Sequence, residues 1–308
     1  MRLEGIHHIS AITGDARRNV DFYTGVMGLR LVAKSVNQDD PSVYHLFYGE
    51  EAGRPGADMT FFEYPHAIPG RAGAGMVHTI VWRLGSPAAL DFWAERLADK
   101  DVPFERVGGR LRFADPETLA HELKVADVPE EPLVADHPEI PRELALQGFD
   151  GVRAYSFSPE HSAVVLEKLL GARRLGDDTW EARGDARGGT ITFDPAPEEP
   201  GRQSAGTVHH ISWGTTAADH PRWDALIREG GVPSSGIVDR HYFKSIYFRE
   251  PGGILYEIAD DEPGFTVDGP VEELGTRIIL PPRFEPQRER IEARLTPLPD
   301  PRAGWSRA

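Results

Sequence analysis

Four short runs mix polar residues with apolar ones in a strand-like way: Ile6 to Ala11, Val77 to Trp82, Val152 to Phe157 and Val208 to Trp213. Such runs read as strands, whose successive side chains point to opposite faces. Each run is followed by a segment whose apolar residues recur at helical spacing. Leu90, Trp93 and Leu97 share one face of a predicted helix from Ala88 to Lys100, and Trp223, Leu226 and Ile227 do so between His220 and Glu229. The spacing also predicts helices over Ala16 to Met27, with Gly28 as a stop signal, and over Glu160 to Leu170. Three shorter strand-like runs come next in every case, so one unit of strand, helix and three strands recurs four times, each copy about 50 to 60 residues long. The second and fourth copies keep register without a gap. Both pass a Val-Pro turn (Val102-Pro103, Val232-Pro233), then Phe113 to Pro116 and Phe248 to Pro251, and both place a glutamate six residues later, Glu122 and Glu257. Proline-, glycine- and acid-rich links at Pro65–Gly75, Asp127–Pro141 and Pro195–Gly206 separate the copies. The expected division is an N-terminal domain over residues 1–140 with copies one and two, and a C-terminal domain over 141–262 with copies three and four. A tail over 263–308, with a short charged helix from Glu285 to Leu295, should pack on the surface.

The first and fourth copies open on the same four letters, His7-His8-Ile9-Ser10 and His209-His210-Ile211-Ser212. Successive side chains on a strand point to opposite faces. His8 shares a face with Ser10, and His210 with Ser212, whereas Ile9 with Ala11 and Ile211 with Trp213 suit packing under a helix. His8 and His210 are therefore the expected metal ligands, with His7 and His209 beside them. Superposed on these, the second copy has Thr79 and the third Ala154 at the histidine position. An acid closes the last strand of every copy: Glu63, Glu122, Asp194 and Glu257. Only the first and fourth copies combine histidine with carboxylate, so these two should face each other around one ion held by His8, His210 and Glu257. Two histidines and one carboxylate leave several positions open on a non-heme iron. If Glu63 ligated as well, the site would be the closed four-ligand type suited to Lewis-acid work.

Composition narrows the ion and the partners. The 308 residues hold no cysteine, so a metal must take nitrogen and oxygen ligands. Lysine plus arginine number 34 against 49 aspartate plus glutamate, and a net charge of −15 disfavours nucleic acid and anionic membrane surfaces. No apolar run approaches the ~18 residues a spanning helix needs, and the N-terminus carries no signal pattern, so a soluble cytoplasmic protein is expected, monomeric or homodimeric.

These motifs resemble the vicinal oxygen chelate superfamily, which includes glyoxalase I, the bleomycin- and fosfomycin-resistance proteins and the extradiol dioxygenases. Gly5 to Ser10, Thr60-Phe61-Phe62, Asp239 to Phe243, Tyr256-Glu257 and Leu280-Pro281-Pro282 look like the ring-cleaving dioxygenases of the hydroquinone 1,2-dioxygenase type. The resemblance covers nearly the whole chain and is weakest in the third copy. It implies an α+β fold of four βαβββ modules that form two incomplete barrels. It further implies an iron(II) centre at His8, His210 and Glu257, with manganese, zinc or nickel as other ions for such a site. Supporting roles fall to His7, His209, Arg240 and Tyr247, and the substrates implied are dioxygen and a small hydroquinone- or catechol-like aromatic. Arg240 offers a permanent charge and a fork of donors, Tyr247 a hydroxyl, and a histidine beside the metal can move a proton. Two other readings use the same residues: a glyoxalase-like isomerase or lyase with Glu63 as a fourth ligand, and a metal-free aromatic-binding protein of the resistance type.

Overall fold

The computed structural model describes residues 1–176, 178–303 and 305. Module one comprises β1 (Ile6–Thr13), α1 (Ala16–Val20), β2 (Arg30–Val36), β3 (Tyr44–Gly49) and β4 (Asp58–Glu63). Module two comprises β5 (Met76–Leu84), α2 (Pro87–Asp99), β6 (Phe104–Val107), β7 (Arg110–Ala114) and β8 (Ala120–Val125). Module three follows with β9 (Phe149–Ser156), α3 (Pro159–Val164), β10 (Arg173–Gly176), β11 (Thr179–Arg183) and β12 (Gly188–Pro195). Module four has β13 (Thr207–Thr215), α4 (His220–Glu229), β14 (Ser234–Asp239), β15 (Lys244–Arg249) and β16 (Leu255–Asp260).

The helices bury the stripes that their spacing predicts. In α2 the side chains of Leu90, Trp93 and Leu97 are buried, Ser86 Oγ caps the Ala89 N–H, and Pro87 sits in the first turn, where its missing N–H costs nothing. In α4 the buried residues include Trp223 and Ile227, and Trp223 Nε1 donates to Thr215 Oγ1 at 2.8 Å. The first and third helices are shorter than the sequence suggests. Each becomes a π-helix after its first turns, at Asp21–Val26 and Val165–Leu169. The wider turn accounts for the mixed pattern around Phe22 and Tyr23, because it brings both rings into the core. Gly28 ends that segment at φ +68°, a conformation that favours glycine.

The sixteen strands form two open eight-stranded sheets. One runs β14-β15-β16-β13-β1-β4-β3-β2, the other β10-β11-β12-β9-β5-β8-β7-β6. Module one thus joins module four, and module two joins module three, so each sheet draws one module from either side of residue 140. At the centre of the first sheet β1 and β13 run antiparallel, with Ile9 opposite Ile211. β4 lies parallel to β1, and β16 parallel to β13. This is a local twofold arrangement: one residue before its centre on each strand stands a histidine, His8 on β1 and His210 on β13. Ile80 opposite Val152 is the matching centre of the second sheet. There the corresponding positions hold Thr79 and Gly151, so Gly151, and not Ala154, is the counterpart of the histidines in module three.

The same register corrects the alignment of the acids. Glu257 lies opposite Ser212, one residue beyond the twofold centre. The equivalent partners in the other modules are Thr60 (opposite Ser10), Glu122 (opposite Val81) and Thr192 (opposite Arg153). Glu63 lies opposite Thr13 and matches Asp260, which lies opposite Thr215. An acid does occur near every strand end, but in modules one and three it stands past the position that points into the cup.

The tail follows the β2 edge. Ile278 bridges to Lys34, while Leu280, Ile291, Leu295 and Leu298 are buried. The short helix expected there is a 3-10 turn at Glu285–Gln287 followed by α5 (Arg288–Glu292). Buried Arg30 donates to the Val271 and Leu274 carbonyls, and buried Lys34 to those of Thr276 and Leu298.

Candidate metal centre

β1, β13 and β16 are neighbours, and the alternation of side chains aims His8, His210 and Glu257 into one cup. All three are buried, and one ligand atom from each lies within 4.8 Å of the others. His8 Nε2 is 3.0 Å and His210 Nε2 2.8 Å from Glu257 Oε2, and the two nitrogens are 3.3 Å apart. Glu257 Oε1 accepts from the Ser245 hydroxyl, while Oε2 has no hydrogen-bond partner despite the two nearby nitrogens. Burial pushes the Glu257 carboxyl up, but His8 and His210 opposite hold it well below the ordinary carboxylate range, so it stays ionised. Burial in turn lowers the His210 pKa in spite of that carboxylate.

Hydrogen bonding assigns the histidine tautomers. His7 Nε2 lies 3.0 Å from the Asp260 carbonyl, which only accepts, so Nε2 carries the proton. Burial, followed by His8, depresses the His7 pKa far below its usual value; the ring is neutral and its Nδ1 is an acceptor. His8 Nδ1, 2.9 Å away, must donate to it, which leaves the His8 Nε2 lone pair facing Glu257. In the second doublet His209 Nδ1 and His210 Nδ1 are 2.8 Å apart. Donation from His210 leaves its own Nε2 lone pair in the cluster. An ionised carboxylate and two imidazole nitrogens converging on one point need a cation among them, a proton on a nitrogen or a metal ion in its place. These donors fit a divalent ion with nitrogen and oxygen ligands and open positions.

His8 and His210 line a cavity of about 370 Å³, and Glu257 is fully buried against them. An apolar cavity of about 150 Å³ already holds benzene, so this one has room for a substituted ring. On one wall His45 lies against Phe47 and Phe62, with ring centroids 3.9 and 4.2 Å away. Burial, then His8 and His210, keep His45 neutral, and its Nε2 is 3.1 Å from Thr60 Oγ1. On the opposite wall Tyr247 pairs with Glu257 across β15 and β16. Arg240 Nε donates to the Tyr247 hydroxyl at 3.1 Å, its guanidinium lies over the Tyr247 ring, and its Nη1 contacts Asp39 at 3.2 Å. Burial, then Glu257, raises the Tyr247 pKa, so the phenol keeps its proton. His209 lines this cavity and a second one of about 260 Å³ on the far side of His210, and burial followed by His210 lowers its pKa to about 3.

The structure therefore brings His8, His210, His209, Arg240 and Tyr247 to one cavity, with Glu257 buried against the two ligand nitrogens and His7 against His8. Glu63 is not among them. It faces away with Met59 and Phe61, and its Oε1 accepts from the Ala16 N–H at the start of α1. Thr60 stands where a fourth ligand would, with Oγ1 2.7 Å from Ser10 Oγ. Glu63→Ala is expected to lower thermal stability by about 1 kcal/mol through the lost hydrogen bond, with unchanged metal content after dialysis. Loss of the metal from that variant would restore Glu63 as a ligand. Sequence reasoning missed His45, whose signal was the alternation Tyr44-His45-Leu46-Phe47-Tyr48, which turns His45 and Phe47 away from the core face.

Paired βαβββ modules with a two-histidine, one-carboxylate cluster in the cup define a glyoxalase-type fold with a candidate metal site. Residues 5–118 match the family model of the Glyoxalase/Bleomycin resistance protein/Dioxygenase superfamily. The chain belongs to this superfamily and, within it, to the ring-cleaving dioxygenases, which makes it an oxidoreductase. It is 39% identical to the protein named ring-cleaving dioxygenase MhqA of Bacillus subtilis, over 97% of this chain and all of that one. It is 30% identical to the chlorohydroquinone/hydroquinone 1,2-dioxygenase of Sphingobium indicum, over 94% and 95% of the two chains. The crystal structure of a B. subtilis protein titled as a dioxygenase superposes with a TM-score of 0.89 at 38% identity, covering 96% of this chain and 98% of that one. No helix among the described residues is long and apolar enough to cross a membrane.

Proposed function

We propose that this enzyme binds iron(II) through His8, His210 and Glu257 and opens the ring of a hydroquinone- or catechol-like substrate with dioxygen. The observation that carries the reading is the buried Glu257 Oε2, which faces the nitrogens of His8 and His210, two residues that line a cavity sized for an aromatic ring. Bound iron(II) supplies the redox chemistry that oxygen insertion needs. The chain's own groups bind, orient and move protons. His45, Phe47 and Phe62 form an aromatic wall for the substrate ring. Because Arg240 donates to the Tyr247 oxygen, the phenol proton is free to point at a substrate oxygen, and the fixed charge of Arg240 favours the anionic form of that substrate. With Nδ1 occupied by His210, His209 carries its proton on Nε2, at the wall between the two cavities, where it can pass that proton on.

A four-ligand isomerase site lacks its second carboxylate, since Thr60 occupies the equivalent position. The named relatives that cleave rings, one of them a hydroquinone dioxygenase, support the substrate class. The test is anaerobic loading with iron(II) followed by oxygen-electrode measurements over hydroquinones and catechols. Stoichiometric oxygen uptake with loss of the aromatic absorbance is expected. A fully loaded protein that consumes no oxygen with any of them would sink the proposal.

A further inference from the structure

We propose that the tail is a working part of the substrate cavity: Asp268 pins His241, and through it the loop that presents Arg240 and Phe243 to the bound ring. That loop, Arg240 to Phe243, joins β14 to β15, and all four of its residues line the cavity. His241 sits at φ +75°, in the left-handed region, which a residue with a side chain keeps only where the surrounding structure imposes it. Bonds within the segment give the turn its shape. The His241 N–H donates to Asp239 Oδ1 at 2.8 Å, and the Arg240 N–H to the Phe243 carbonyl at 2.9 Å. The tail adds the bonds that hold the turn over the cavity. His241 Nε2 donates to the Asp268 carboxylate, 3.0 and 3.2 Å from its two oxygens, and the Gly264 N–H donates to the Tyr242 carbonyl at 2.8 Å. The His241 and Asp268 side chains are only 16% and 17% exposed, so this contact is largely shielded from water, unlike a surface ion pair.

The tail is itself fastened to module one. Arg277 Nη2 donates to the Asp268 carbonyl at 2.8 Å, and the next residue, Ile278, bridges to Lys34. Buried Phe265 lies against Tyr242 and Phe47, with ring centroids 4.4 and 5.2 Å away. Phe47 belongs to β3 and Tyr242 to the loop, so the tail closes the seam between the two modules that build the cavity. Arg240, whose Nε bonds the Tyr247 hydroxyl, and Phe243, whose ring centroid is 4.9 Å from that of His8, flank the pinned pair His241-Tyr242. Releasing the pin lets His241 leave its left-handed conformation, and both flanking side chains move with it. Asp268 is a positioning residue: it lies outside the cavity and acts on the ring only through the loop.

The effect on the ring rests on the reading above, whereas the fixing of the loop is read without metal. In the metal-free protein, Asp268→Ala and His241→Gly should each speed hydrogen exchange at the Arg240 and Gly264 amides at least about tenfold, with the β1 and β13 amides unchanged. Glycine suits a positive φ, so His241→Gly removes the pin without adding strain. Loaded with iron(II), Asp268→Ala should bind 4-nitrocatechol about tenfold more weakly, while its affinity for the ion stays within about twofold of the wild type. Asp268→Asn, which keeps an acceptor oxygen, should recover most of that loss. Wild-type exchange at both amides in either folded variant overturns the pin. Faster exchange with unchanged 4-nitrocatechol affinity overturns its service to the cavity. If the iron-loaded wild type itself binds no 4-nitrocatechol, the metal reading fails, and the exchange rates still decide the pin.

Discussion

Loaded with iron(II), Glu257→Ala is expected to lose the ion on dialysis and to consume oxygen at least about a thousandfold more slowly than the wild type, a loss of about 4 kcal/mol of transition-state stabilisation. The side chain is 0% exposed and is the sole carboxylate of the cluster among the described residues. Without it two neutral imidazoles remain, too weak a set to retain a labile divalent ion. In the metal-free wild type His8 and His210 favour the ionised carboxylate, so the substitution also removes those contacts. Thermal melting with and without iron(II) separates the two effects. The wild type should gain about 2.7 kcal/mol at a free ion concentration a hundredfold above Kd. The variant should gain nothing, and its metal-free form should melt below that of the wild type through the lost Ser245, His8 and His210 contacts. Retained iron with retained oxygen uptake would exclude Glu257 as a ligand.

Thr60→Glu tests the other half of the pseudo-twofold. Thr60 is 1% exposed and stands to module one as Glu257 stands to module four. A glutamate there can reach the ion from the opposite side and fill a position that substrate or dioxygen needs. Metal affinity is expected to rise about tenfold with the added charge, and oxygen uptake to fall at least about a hundredfold. The cost falls on the metal-free protein, where two buried carboxylates would share one cup. One of them must be protonated, and a lower melting temperature without metal is expected. Competition with a chelator reads the affinity, and the oxygen electrode the activity. Full activity in a folded, metal-loaded Thr60→Glu protein would show that the fourth position is not used in catalysis.

His8 and His210 were legible in the sequence because strand alternation is a local rule. Given a doublet on a strand, the residue sharing a face with a serine rather than an isoleucine turns to the polar side. Glu257 was legible because modules two and four carry the same spacing without a gap. The alignment of Glu63 with Glu257 went astray for a physical reason. Acids collect at strand ends, where water reaches them, so their recurrence reports exposure as well as function, and only the pairing Ser10–Thr60 against Ser212–Glu257 tells the two apart. The π-helical turns were invisible to a 3.6-residue template, although the awkward spacing of Phe22 and Tyr23 was their trace. His45 and the bond of His241 to Asp268 needed tertiary contacts, since a histidine on a strand and one in a loop both read as ordinary polar residues.

The central pairing of β1 with β13 has a bearing on how the enzyme is born. His8 and His210 are separated by 202 residues of chain, and β1 is finished long before β13 leaves the ribosome. Modules two and three lie consecutively between them and can close their own sheet first. Until module four emerges, β1 has β4 beside it and an open edge on the other side, and such contacts between distant segments form late. A nascent chain therefore cannot hold the ion by the full triad, and a truncated product that stops before residue 257 carries an intact amino-terminal histidine doublet with no centre to serve. The three candidate ligands come together only once the two ends of the chain have met.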